Sequence, residues 1–202
     1  YHSSLVDSNL SYDYVIITNY ALTLYFQSFA DYKTTHGVDT TIVCVEDIVN
    51  ETAYWDEKPL FNDTQAKIRN FIRDAYLNWG IEYVLLGGDG DGADVGGESG
   101  DDIIPARIFY VNTGSGYIGN IPSDMYYGCL DGTFNYDEDS YWAEPNDGED
   151  GGEVDLIPEV SVGRVPADSP QEVLNFVNKT IWYETTTDPY LGTVYMVGEY
   201  LG

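Results

Sequence analysis

Short β-branched runs that alternate with segments of helical spacing restrict this chain to one class of fold. Residues 14–18, YVIIT, have the length and branching of a strand. YALTLYFQSFADYKTTHG follows, with apolar residues at Leu22, Leu24, Tyr25, Phe29 and Tyr32. That spacing predicts one helical face, and Gly37 is placed to end the helix in a left-handed cap. VDTTIVCVEDI then predicts a second strand over residues 40–45. Strand, helix and strand in so short a span read as a right-handed βαβ crossover between parallel strands.

The pattern repeats. NDTQAKIRNFIRDAYLNWG offers a cap at Asn62 or Asp63, an apolar face of Ile68, Phe71, Ile72, Tyr76 and Leu77, and a stop at Gly80. EYVLLGG is continuously apolar, as expected of a strand covered on both faces. EVSVGRV predicts a further strand, SPQEVLNFVNKTIWYETT a helix and GTVYMVG a last strand. Ser169 caps that helix, Pro170 occupies its first turn and Glu172 completes a capping box. The predicted fold class is therefore α/β: an open, mostly parallel sheet with helices on both faces, a three-layer Rossmann-like arrangement.

Two stretches break the alternation: GGDGDGADVGGESGDD at residues 87–102 and DGTFNYDEDSYWAEPNDGEDGGEVD at residues 131–155. Both belong at or beyond strand ends, as functional loops or as solvated insertions. GGDGDG superficially resembles a phosphate-binding loop, but Asp89, Asp91 and Asp94 would repel a pyrophosphate, and no helix begins directly after it.

Charge decides what these loops suit. With 35 acidic against 8 basic residues, a formal charge of −27, the chain repels nucleic acid and anionic membrane, so neither is an expected partner. No apolar run reaches the roughly 18 residues of a membrane-spanning helix. Short-spaced carboxylates with glycines suit calcium, which takes six to eight oxygens. The candidate ligands are Asp89, Asp91, Asp101 and Asp102 in the first loop, and Asp137, Asp139, Asp147, Glu149, Asp150 and Asp155 in the second. Neither loop follows the twelve-residue EF-hand pattern. A solvated acidic surface, suited to a saline habitat, is the competing reading.

Nucleophilic chemistry has few candidates. Cys44 and Cys129 are too few for a disulfide framework, and Cys44 falls in a predicted central strand, so two free thiols are expected. Cys129, in SDMYYGCLDG, is either a nucleophile needing a base or a small packed residue. The histidines are His2, in a terminus, and His36, before the helix-ending Gly37. Zinc lacks ligands. A carboxylate pair doing acid–base work is a third possibility that 35 acids leave open. Asn9, Asn50, Asn62 and Asn178 each head an Asn-x-Ser/Thr triplet compatible with export. The N-terminal YHSSLVDSNLSYD lacks the order of a signal peptide, so either a signal was removed or the chain begins inside a longer protein.

Residues 123–184 carry a resemblance. Ser123-Asp124 and Tyr127-Gly128, the VGR at residues 162–164 and a helix ending Tyr183-Glu184, in that order and spacing, resemble the gingipain family of cysteine peptidases, a caspase-like group. YKTTHGVDTTIVCVEDI and YVLLGGD fit the first half of the same pattern. The resemblance implies a thiolate that attacks the peptide carbonyl and a histidine that protonates the leaving amine, both beyond residue 202. Neither His36 nor Cys129 matches those positions.

It further implies residues 1–12 as an extension, 13–190 as an N-terminal caspase-like subdomain and 191–202 as the first strand of a catalytic one. The implied partners are that catalytic subdomain and protein or peptide substrates; the implied ion is structural calcium; the implied location is secreted or cell surface. This chain alone is expected to be inactive. A calcium-binding adhesion or docking module that reuses the fold is the alternative. Arg164, one of so few basic residues, is expected to pair with Glu159 or Asp124.

Overall fold

The computed structural model describes residues 4–90, 102–112, 118–196 and 198. Strand β1 (Tyr14–Thr18), helix α1 (Thr23–Thr35) and strand β2 (Thr40–Cys44) form the first crossover. A short helix α2 (Val45–Asn50) and the long α3 (Thr64–Trp79) lead to β3 (Tyr83–Gly87). A hairpin, β4 (Arg107–Asn112) and β5 (Ile118–Ser123), precedes the single-turn α4 (Met125–Gly128). After an irregular stretch come β6 (Ser161–Val165) and α5 (Pro170–Thr185).

The main sheet has the order β2-β1-β3-β6, all parallel, while β4 and β5 make a separate antiparallel pair. Strand residues alternate between two cores, as a period of two requires. Val15, Ile17, Val84 and Leu86 pack with α2 and α3, where Ile48, Ile68, Phe71 and Ile72 are fully buried. Ile16 and Leu85 pack on the other face with Phe26 and Phe29 of α1 and Val173 and Val177 of α5. Helices therefore cover both faces, as the apolar continuity of YVLLG predicts.

Local signals end the helices as expected. The Asp63 carboxylate accepts from the Ala66 N–H at 2.8 Å, so Asp63 rather than Asn62 caps α3, and Gly80 closes it at φ 78°. At α5 the Glu172 carboxylate accepts from the Ser169 hydroxyl at 2.8 Å and from its N–H at 3.2 Å.

Three expectations need correction. On α1 the buried face is Leu22, Phe26, Phe29 and Ala30, and Leu24 points to solvent. On α3 the face runs through Ala75 and Trp79, leaving Tyr76 and Leu77 exposed. Both helices rotate so that their bulkiest rings meet the sheet. The described residues of GTVYMVG do not form a strand: residues 189–192 form a 3₁₀ turn and residues 193–196 have no regular structure. Val194, Tyr195 and Met196 are more than four-fifths exposed, with no described strand beside them to pair with.

β1 leads to β2 on one side, but β3 lies on the other side of β1, so the chain reverses direction across the sheet between β1 and β3. In open α/β sheets that switch point, at the carboxyl ends of the strands, is where ligands are bound. Here the Thr18 hydroxyl donates to the Gly87 carbonyl at 2.5 Å and ties the two strand ends together.

Candidate functional site

The carboxyl end of the sheet is organised by one guanidinium. Arg164, near the end of β6, donates from Nε and Nη2 to the two carboxylate oxygens of Asp124, each at 2.7 Å. Its Nη1 donates to the carbonyls of Gly88 (2.9 Å) and Ile104 (2.7 Å). One side chain thus joins β6, the end of β3, the segment before β4 and the corner into α4. Glu159, the other expected partner, instead accepts from the Leu130 N–H. A cavity of about 500 Å³ opens beside this pair, lined by Asp89, Asp124, Arg164, Asp168 and Glu172 among others.

The glycines after β3 answer to this packing rather than to phosphate. A Cβ at Gly88 would lie 2.4 Å from Ile103, and one at Gly90 would lie 2.8 Å from the Ile104 carbonyl and 2.9 Å from Arg164 Nη1. The Asp89 carboxylate accepts from the Ile103 N–H at 3.1 Å, fixing the same approach. Tyr127, fully buried, donates its hydroxyl to the Pro105 carbonyl, and the Gly128 carbonyl accepts from the Glu159 N–H at 3.0 Å. Residues 123–128 and 162–164, read above as separate motifs, converge on this junction.

Cys129 is fully buried, and burial first, then the Asp155 and Glu159 charges, pushes its thiol up to about 11. Its carbonyl accepts from Arg69 Nη2 at 2.7 Å and Nε at 3.1 Å. Arg69, itself buried, also donates to the carbonyls of Asp131 and Gly132, and Arg73 donates to that of Leu130. Two arginines therefore gather the carbonyls of residues 129–132, a role not legible in the sequence because those partners are backbone atoms. His36 is exposed at the end of α1, its ring 4.2 Å from that of Tyr32 at a tilt of 36° and its Nδ1 2.7 Å from the Tyr32 carbonyl. α1 packs on the sheet face opposite the core that holds Cys129. Both cysteines are free, as expected, and buried, but Cys44 ends β2, an edge strand of the four and not the central one its sequence suggested.

The acidic residues divide. Asp137, Asp139 and Glu144 present carboxylate oxygens within 4.8 Å of one another, as do Asp131, Asp155 and Glu159. Glu144, Asp131 and Glu159 are additions that sequence spacing did not single out. Asp147 lies buried beside the first group, accepting from the Tyr136 and Glu144 N–H groups. Burial raises the acids of both Glu144 and Asp147, and the neighbouring Asp137 and Asp139 charges add to this. Glu149 and Asp150 sit exposed on a 3₁₀ turn and join neither group. Asp89 and Asp102 likewise join neither, and Asp91 and Asp101 lie outside the described residues. Each group offers hard oxygen donors of the kind calcium takes, but only three carboxylates toward the six to eight oxygens that ion needs.

The sequence profile of Peptidase family C25 matches residues 7–202. The chain belongs to that family, the gingipains. Three solved structures share its fold. A complex of Porphyromonas gingivalis RgpB pro- and mature domains is 23% identical, with a TM-score of 0.50 over 84% of this chain and 28% of that one. Dimeric latent PorU from Porphyromonas gingivalis is 21% identical, with a TM-score of 0.58 over 86% of this chain and 16% of that one. A structure described as a protease is 17% identical, with a TM-score of 0.50 over 93% and 31%. This C25 chain therefore spans less than a third of each of these structures. No curated protein matches it significantly. Among the described residues, no helix is long and apolar enough to cross a membrane.

Proposed function

We propose that this chain is the N-terminal, non-catalytic part of a gingipain-like cysteine endopeptidase, whose nucleophile and histidine lie in sequence beyond residue 202. The observation that carries the reading is the state of Cys129: fully buried, with its thiol pushed up to about 11. A thiol so placed is neither a thiolate at neutral pH nor open to a peptide carbonyl. What the chain contributes is a support, since residues that hold a dyad must themselves be fixed by packing and hydrogen bonds. The Arg164–Asp124 junction at the carboxyl end of the sheet is suited to that task.

In this reading the partners are the chain's own catalytic continuation and protein or peptide substrates of the whole enzyme, which is secreted or held at the cell surface. Calcium is a structural ion, held by Asp137, Asp139 and Glu144 and by Asp131, Asp155 and Glu159. It would draw together acids that otherwise repel. The same two groups are what favours the second reading, a calcium-binding docking module.

The test is cleavage of a mixed fluorogenic peptide library by the purified chain, with thiol and calcium present, beside a Cys129→Ala variant. No cleavage is expected from either protein. Cleavage that the variant loses would make Cys129 a nucleophile and overturn the assignment. Cleavage that both retain would point to a carboxylate-based hydrolase.

A further inference from the structure

The hairpin side of the molecule carries a cavity that the peptidase reading does not use. About 310 Å³ in volume, it is bounded by the start of α3, by β4 and β5, and by residues 140–142. Sites for small molecules span about 300–1,000 Å³. Its floor is Arg107, a buried residue whose guanidinium lies 3.7 Å from the centre of the Trp142 ring. Arg107 Nη1 and Nη2 donate to the two oxygens of Asp63 at 2.7 and 2.8 Å.

From this site we infer a binding pocket for a neutral saccharide. Charge supports it first. The one cation and the one carboxylate lining the cavity are spent on each other, and Asp63 also accepts from the Ala66 N–H. Neither a free anion nor a free cation finds an open counter-charge there, and the −27 field outside opposes anions.

The remaining lining is what a polyhydroxylated ring requires. Asn120 and Ser140 present an amide and a hydroxyl that make no side-chain hydrogen bond among the described residues. Gln65 donates only a long bond, 3.4 Å, to the Ala106 carbonyl. Arg107 Nε is buried and has no hydrogen-bond partner among the described residues, an uncommon and costly state. Aromatic rings supply the apolar contact for C–H faces: Tyr141, about half exposed, lies 4.8 Å from the Tyr110 ring at a tilt of 51°.

The probes are free glucose, galactose, mannose and N-acetylglucosamine, each beside its methyl glycoside, observed by saturation-transfer NMR on the whole chain. Acetate and methylguanidinium serve as charged controls. Transfer to the ring protons of at least one sugar is expected, with affinity roughly five- to tenfold weaker in Tyr141→Ala and in Asn120→Ala. Both substitutions are on exposed positions, so an unchanged melting temperature separates lost binding from lost folding. Binding of a methyl glycoside identifies a glycan-linked residue as the source; binding of the reducing sugar alone identifies a free one. No transfer from any sugar, transfer that both variants keep, or stronger binding of a charged control would each overturn the proposal.

Discussion

Arg164 and Asp124, forty residues apart in sequence, meet through two parallel hydrogen bonds of 2.7 Å, with side chains 15% and 29% exposed. Bidentate geometry and partial burial distinguish this pair from a surface ion pair, whose worth is small. Arg164→Ala leaves Asp124 without its counter-charge and the Gly88 and Ile104 carbonyls without their donor. A loss of about 2–4 kcal/mol in stability is expected by denaturant titration. A melting temperature unchanged by this substitution would remove the junction from the account of the fold.

Two glycines near that junction should respond unequally to the same change. Gly90→Ala drives a methyl group into the Ile104 carbonyl and the Arg164 guanidinium, and is expected to cost about 1–3 kcal/mol. Gly163→Ala places its methyl 3.9 Å from Leu85, an ordinary contact, and should fall within about 0.5 kcal/mol of the parent. Equal effects in thermal melts would mean that the loop after β3 relaxes freely around Arg164.

The sheet and its helices were legible because their signals are local. Branched runs for β1 and β3, Asp63 before α3, Gly80 after it and Ser169–Glu172 at α5 all act over a few residues. The outward turn of Leu24, Tyr76 and Leu77 was not, because which part of an apolar stripe meets the sheet is settled by the neighbouring elements. The hairpin escaped notice although RIFYVN in β4 has strand character; its partner IGNIPS contains Gly, Asn and Pro, all poor strand formers. The pairing of Arg164 was narrowed to two acids by the scarcity of basic residues, and geometry chose Asp124. The acid groups were half visible: spacing pointed to Asp137, Asp139 and Asp155, but a turning chain brings in Glu144, Asp131 and Glu159.

The thiols offer a chemical test of the buried-cysteine reading. Cys129 is fully buried and Cys44 is 8% exposed, with burial as the first cause of the upward shift in both. A thiol reagent such as 5,5′-dithiobis(2-nitrobenzoate) should label neither in the native chain and both after denaturation. The sign of the pH dependence follows. Because Cys129 holds its proton to about 11 against an ordinary 9.0, the native state binds more protons in that interval. Stability should therefore fall as pH rises through it. Rapid native labelling that Cys129→Ala abolishes would contradict this.

Glu144 and Asp147 set the opposite end of the pH range, and with it the response to calcium. Both acids are raised in the folded chain, first by burial and then by the Asp137 and Asp139 charges. Between the ordinary carboxylate range and those raised values the native state carries more protons than the unfolded one. In chelator, this loop should therefore contribute more stability as pH falls through the window and less as pH rises. Calcium on Asp137, Asp139 and Glu144 works the other way, since it competes with protons for the same oxygens. At neutral pH, calcium at a hundredfold its Kd should add about 2.7 kcal/mol, and less at mildly acidic pH. Melting curves with calcium or chelator at both pH values check this, with Asp137→Asn/Asp139→Asn as the variant that should lose the calcium increment. A calcium effect equal in that variant and the parent would move the ion away from these residues, and no effect in the parent would leave the acids as solvated surface.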